Sequence, residues 1–333
     1  MLSPSSLASG LGMAYLGARG QALEAGLQAR SAALRRLDGP GVTVDAADQV
    51  WADPSLTTLR SYLNSVATGY GAGVARVPLL RSPDQATQEI DQAIAAATHG
   101  LIPQLLAPGS LQDIGWVLTD ALYLKAAWAT PFQASQTGPG SFTTASGRQV
   151  SAQFMNGGPY AAASANGWTA VWLPYGDGRL AMMALLPPAG PGGCALPTAA
   201  QLGSLTTKMT AHGAASAALT RDISLPKVNL QDHVSMRDLL TGLGMGVAFT
   251  PAADFSGLSP QACCIGLVEH AATLQVGEHG TVASAATAVG VVPTAAQAGP
   301  PPVTFDRPYL MVVTDRTTGE PLFMARVADP TRP

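Results

Sequence analysis

The chain has 333 residues, of which 12% are charged, and a formal net charge of −3. That length supports a sizeable core in one large or two ordinary domains. The thinly scattered basic residues exclude a nucleic-acid footprint, and no hydrophobic run approaches membrane-spanning length. The N-terminus lacks the basic region and apolar core of a signal peptide, which leaves the compartment open between extracellular and cytoplasmic. The nearest approach to a basic cluster, Arg30, Arg35 and Arg36, reads as a solvated helix face. The three cysteines, Cys194 and the adjacent Cys263 and Cys264, form no disulfide framework and have no second ligand pair at metal spacing. They read as free or buried thiols, and the sequence implies neither metal nor cofactor.

The first element opens at Ser3-Pro4, with Ser3 as helix cap and Pro4 as the first helical residue. Leu7, Leu11, Ala14, Tyr15 and Ala18 share its apolar face. Val42 to Trp51 alternates as a strand. A helix is expected over Leu56–Thr68, followed by a short strand in V-A-R-V-P-L. Gly69, Gly71 and Gly73 do not make a nucleotide loop, because Val74 stands where the last glycine of G-x-G-x-x-G belongs. Asp84–Thr98 is an Ala-rich helix stopped by Gly100. Trp116–Trp128 reads as a strand buried on both faces. Val171–Pro188 makes two antiparallel strands around a Gly-Asp-Gly turn, and the Pro/Gly-rich piece after them is a loop. Leu225-Pro226-Lys227 starts another strand, Val234–Leu243 is expected to be helical, and His270–Glu278 is strand-like. Two apolar strands split by a Thr-Thr-Gly turn close the chain.

The sequence carries no G-x-S-x-G elbow, no H-E-x-x-H and no P-loop, so nothing places an active site. The stretch Glu278–Gln297 stands apart from the rest. Both of its alternating phases are small or β-branched, so as a strand it fits between two others without clash, and Pro293 ends the run. On composition alone an Ala/Thr/Val run leading to A-G-P-P-P is more often a flexible linker.

Its register with the other blocks favours a different reading. Glu278, Gly280, Thr281, Ala283, Ser284, Ala285, Ala286 and Thr287 resemble the hinge of a serpin reactive-centre loop, of the small-residue type found in inhibitory members. The opening Ser-Pro-x-Ser resembles a serpin helix, and the earlier long helix of the family has no counterpart before it. Further matches are W-V-L-T-D-A-L-Y-L-K-A-A-W with Pro131-Phe132, the L-P-Y around Pro174, Leu225-Pro226-Lys227, Asp254-Phe255-Ser256-Gly257, and Phe305-Asp306-Arg307-Pro308. Tyr309 stands where phenylalanine is usual.

The resemblance implies one α+β domain over residues 1–333, with three β-sheets, eight or nine helices and an exposed loop at about 278–302. It implies a suicide-substrate inhibitor of a serine protease, or of a cysteine protease, that forms a covalent acyl complex. Such a molecule is expected to be a monomer with a loop–sheet polymerisation hazard. No nucleic acid, membrane or heparin-like activator is implied, and the alternative is a non-inhibitory chaperone or carrier. Counting along the hinge puts the scissile bond at Thr294–Ala295, whereas counting back from Phe305 gives Gln297, so the window is Thr294, Ala295, Ala296 and Gln297. Nothing there is basic or aromatic, which suits an elastase- or subtilisin-like pocket. Trp128 and Lys227 match the region where the loop enters the sheet, with a Lys227–Glu278 pair at the hinge. Ser3, Ser6, Asp120 and His270 match a polar cluster under the sheet centre. An Asp120–His270 pair is expected to raise the folded-state pKa of the imidazole.

Overall fold

The computed structural model describes residues 1–17, 24–34, 36–190, 196–198, 200–202, 204–205, 220–281 and 301–332. Helix α1 (Pro4–Gly17) starts at the Ser-Pro, since proline's missing N–H costs nothing at the first helical position. The Ser3 hydroxyl donates to the Leu322 carbonyl at 2.7 Å. Helix α2 (Glu24–Leu34) leads to strand β1 (Val42–Ala52), helix α3 (Arg60–Tyr70) and the short strand β2 (Gly73–Arg76). Helix α4 (Pro83–Ala97) precedes β3 (Trp116–Ala127), then β4 (Gly138–Thr143), β5 (Gln149–Ala165), β6 (Trp168–Pro174) and β7 (Leu180–Leu186). Strand β8 (Thr220–Pro226) passes directly into β9 (Val228–Ser235) of the other sheet, which leads through α5 (Arg237–Leu240) to β10 (Glu269–Gly277) and β11 (Gly280–Thr281). Strands β12 (Val303–Thr304), β13 (Tyr309–Asp315) and β14 (Pro321–Val327) close the order.

The first sheet runs β2-β1-β3-β11-β10-β9, and the second runs β12-β8-β5-β6-β7-β13-β14 with β4 on β5. Three sheets were expected, and the described strands form two continuous networks. The reason lies in β5. Its first half pairs with β4, its middle with β8 across a register shift between Gly157 and Tyr160, and its end with β6. One long strand thus fuses what would otherwise be two sheets. About six helices are described, counting a short one around 200–205, fewer than the eight or nine expected.

Side-chain alternation along β1 and β3 sorts the sheet's two faces. Trp51, Val117 and Ala121 pack under α4 with Ile90 and Ile94. On the other face, Val50 and Leu118 meet Met13 of α1 and Tyr62, Val66 and Tyr70 of α3. Farther along β3 the same face, through Leu122, Leu124 and Ala126, packs on the second sheet. Helix α1 is therefore wedged between the two sheets, with contacts to both β3 and β14. The expected apolar face Leu7–Leu11–Ala14 lines a cavity. Ala14 is also buried, as are Met13, Ser5 and Ser9 on the rest of the helix.

One expectation holds only in part. Val234 and Ser235 belong to strand β9, and the helix begins at Arg237, running as α-helix to Leu240 and on as a π-helix over Thr241–Met245. Pairing Val228–Ser235 with β10 satisfies the backbone along an edge that a helix there would leave open.

Candidate functional site

The residues singled out near 278 lie where the first sheet changes from β10 to β3. After Gly277 the chain reverses through Glu278 and His279 and re-enters the sheet as β11. This two-residue strand pairs antiparallel with β10 (Val276↔Thr281) and with β3 (Gly280↔Ala127). Gly280 has φ +139°, and a Cβ there would collide with the Ala126 carbonyl oxygen, so only glycine fits. Thr281 is 1% exposed and its hydroxyl shares a 2.5 Å hydrogen bond with the Tyr175 phenol.

Trp128 organises the surroundings. Its amide donates to the His279 carbonyl at 2.9 Å and its indole N–H to the Gly277 carbonyl at 2.8 Å. Its ring stacks on Tyr175, with centroids 4.4 Å apart. The Phe132 amide donates to the Glu278 carbonyl at 2.9 Å. Lys227 Nζ lies 2.8 Å from Glu278 Oε2. Burial acts to raise the Glu278 carboxyl, but the Lys227 ammonium and a backbone N–H outweigh it and hold the group below the usual range. Trp128, Lys227, Glu278, Gly280 and Thr281 therefore converge on one end of the sheet. Tyr175 was not singled out, because its partner Thr281 is a hundred residues away and nothing local marks the contact; the L-P-Y block was the one available sign.

Below β11 the edge of β3 from Trp116 to Lys125 has no pairing partner on the β10 side among the described residues. A cavity of about 310 Å³ opens there, bounded by Leu7 and Leu11 of α1, Leu118 and Asp120 of β3, and His270 of β10.

The polar cluster differs from its expectation in its pairing. His270 Nε2 accepts the Ser3 amide at 3.0 Å, which places the ring proton on Nδ1 and requires a neutral imidazole. Burial, the largest influence, pushes the imidazole down. The expected raised value and the Asp120–His270 pair are thus both overturned. Asp120 faces another carboxyl instead. It lies directly across from Asp48 in the β1–β3 register. Burial first, then the hydrogen bond and charge of Asp48, hold the Asp120 carboxyl well above the usual range, with Ser9 acting the other way. Asp48 in turn accepts from the Ser31 hydroxyl at 3.4 Å. Two carboxyls so placed share a proton, because both cannot ionise side by side. Ser6 lies in α1, and its side chain is outside the described residues.

The hinge residues Ala283, Ser284, Ala285, Ala286 and Thr287, and the window Thr294, Ala295, Ala296 and Gln297, lie outside the described residues. The described structure resumes before β12, which pairs with β8 of the second sheet. Phe305 is buried there against Tyr309, with centroids 5.1 Å apart, and Arg307 donates to the Pro187 carbonyl at 2.8 Å. The segment between Thr281 and Pro301 is therefore anchored in one sheet at its start and in the other at its end. Among the described residues no cluster of metal-ligating side chains occurs.

Comparison with known proteins gives a consistent answer. A family model described as Serpin (serine protease inhibitor) matches residues 1–330. Serpin-Z1A of Triticum aestivum is 32% identical over 303 residues, 85% of this chain and 74% of that protein. Iris of Ixodes ricinus is 28% identical over 98% of this chain and 91% of its own. Among solved structures, human glycosylated kallistatin superposes with a TM-score of 0.82 at 23% identity, covering 99% and 91% of the two chains. Arabidopsis AtSerpin1 in its native stressed conformation gives 0.78 at 23%, covering 99% and 91%. These two likenesses speak to the fold, and with the family match over nearly its whole length the chain belongs to the serpin family.

Proposed function

We propose that this serpin is an irreversible suicide-substrate inhibitor of a serine endopeptidase, with specificity for small residues. The observation that carries the reading is β11. Gly280 and Thr281, the first residues of the loop, already occupy the position between β3 and β10, so a further strand has its start fixed in register. The loop is offered as substrate across Thr294–Ala295. The protease serine attacks the Thr294 carbonyl, the peptide bond breaks, and the Ala295 amine leaves, giving an acyl-enzyme. The freed segment then extends β11 along the open edge of β3. Roughly fourteen residues at ~3.3 Å each carry the attached protease ~45 Å, and insertion must outrun deacylation. The small side chains of Ala283–Thr287 favour that speed, because neither face of the incoming strand meets a bulky obstacle.

Trp128 and Tyr175 hold the turn that aims β11, and the Lys227–Glu278 pair steadies its base. That pair is partly exposed, so it contributes at most ~1 kcal/mol. The test is to mix the protein with pancreatic elastase, subtilisin and trypsin and run denaturing gels. The reading expects an SDS-stable band at the summed mass with elastase or subtilisin, and a released C-terminal fragment beginning at Ala295. Clean cleavage without a complex in all three would sink the inhibitor reading and favour a carrier; complexes with trypsin alone would sink the specificity.

A further inference from the structure

The segment that leads into β10 carries the adjacent thiols Cys263 and Cys264, at the mouth of the cavity below β11. Both are exposed and free, and their sulfurs face each other at 2.7 Å. The residues that follow fix the base of β10. The Ile265 amide donates to the Ala248 carbonyl at 2.8 Å, Arg237 Nη2 donates to the Gly266 carbonyl at 3.1 Å, and the Met236 amide donates to the Val268 carbonyl at 2.9 Å. Before the thiols, Gln261 Oε1 accepts the Thr57 amide at 2.9 Å. The dithiol thus sits between two anchored stretches, with its side chains turned to solvent. Cys263 pushes the Cys264 thiol up by accepting its hydrogen bond and by its charge, burial adds to this, and the nearby Arg237 acts against it. Once one sulfur is a thiolate, the other therefore remains its proton donor.

We propose that Cys263 and Cys264 are a covalent modification site, a vicinal dithiol that closes to a ring disulfide by exchange with a low-molecular-weight disulfide. One cysteine thiolate attacks a sulfur of the small disulfide, forming a mixed disulfide and releasing one small thiol. The second cysteine, deprotonated in turn, attacks the protein sulfur of that mixed disulfide and releases the other small thiol. Two protein thiols are oxidised, one small disulfide is reduced to two thiols, and the two protons end on the released thiols. Consecutive Cα atoms are about 3.8 Å apart, closer than the roughly 4.4–6.8 Å that disulfides usually span. The ring therefore forces the local torsions, which makes the bond easily reduced and the modification reversible. The same torsional demand falls on Ile265 and Gly266, so closure loosens the seat of β10 beside the cavity. Nothing in this depends on the inhibitor reading.

The test uses the full chain carrying Cys194→Ser, which leaves the pair as the only thiols. It is incubated with oxidised glutathione and then alkylated with iodoacetamide. The expected product has lost two hydrogens, takes up no alkyl group, and maps to a Cys263–Cys264 link that dithiothreitol reverses. A glutathione retained on either cysteine, or both cysteines still alkylated, would overturn the site. The wild-type chain, with Cys194 followed in the same peptide map, must give the same product. Amide exchange in residues 265–268 should be at least about threefold faster in the oxidised form; unchanged or slower exchange would overturn the coupling to β10.

Discussion

Asp120 makes this fold's stability depend on pH in an unusual direction. Its carboxyl titrates near 3.8 when unfolded and well above that in the fold. Below pH 3.8 both states hold the proton and the contribution is fully present. As pH rises toward the folded pKa, the unfolded chain loses the proton while the fold keeps it, and stability falls by about 1.4 kcal/mol per pH unit. Asp120→Asn supplies a permanent donor to Asp48. It should raise stability at pH 7 by about 1–3 kcal/mol and remove that slope, read as urea midpoints across pH 4–8; a lower midpoint at pH 7 would contradict the shared proton. His270 has the opposite sign. Its folded pKa lies below 6.5, so its contribution is present at neutral pH and is lost on acidification, when the imidazolium can no longer accept the Ser3 amide. Tyr309 adds a third case. Its phenol is fully buried with no hydrogen-bond partner among the described residues, and burial pushes it up. Tyr309→Phe should therefore stabilise the protein by about 1 kcal/mol, and a loss in the melting midpoint would show that the hydroxyl has a partner. The sequence made Asp120 and His270 visible but not their partners, because a strand's register appears only once it is paired. Nothing in V-D-A-A-D-Q-V marks Asp48 as the residue that meets Asp120.

Among elements, β11 is the one on which the functional reading turns. Glu278, Gly280 and Thr281 stand out in the sequence because, with the small residues after them, they resemble the hinge of a serpin reactive-centre loop. The seat they occupy is built from Trp128, Tyr175 and the Ala126–Ala127 backbone, which come from distant strands and leave no local trace. Val234–Leu243 shows the same limit from the other side. Its apolar spacing fits a helix, but pairing with β10 claims Val234 and Ser235 for β9. Gly280→Ala puts a methyl group against the Ala126 carbonyl oxygen at a positive φ. The substitution should lift β11 out of its seat at a cost of about 1–3 kcal/mol and raise amide exchange at Ala127 and Trp128. Inhibition should shift toward simple cleavage, because insertion then starts late. Protected amides with undiminished inhibition would show that the seat is not where insertion begins. Glu278→Gln, by contrast, loses only a half-exposed pair and should change stability by less than about 1 kcal/mol.

On the scale of the whole molecule, the proposed mechanism needs room for a further strand in the first sheet. The edge of β3 from Trp116 to Lys125 and the cavity beneath it are places where backbone groups and apolar side chains have yet to find partners among the described residues. A sheet that gains a central strand satisfies those groups and fills that space. On the proposed reading, the form with an intact loop is held by a barrier, not by being lowest in free energy. On that reading, cutting the proposed Thr294–Ala295 bond would free one end of a segment whose flanks are fixed at β11 and β12, and that end would run down the seam. The nicked protein should therefore melt well above the intact one: at about 2.1 cal/mol/K per residue a chain of 333 residues changes by roughly 0.7 kcal/mol per °C, so a rise of about 10 °C would report roughly 7 kcal/mol from the added strand. Amides of β3 and β10 facing the seam should become protected in the same step. Gly280→Ala should slow the gain without abolishing it, because the substitution affects the start of insertion and not its end. If the nicked chain instead melts no higher than the intact one and the seam amides exchange as before, the strand is never added and β11 is only a turn.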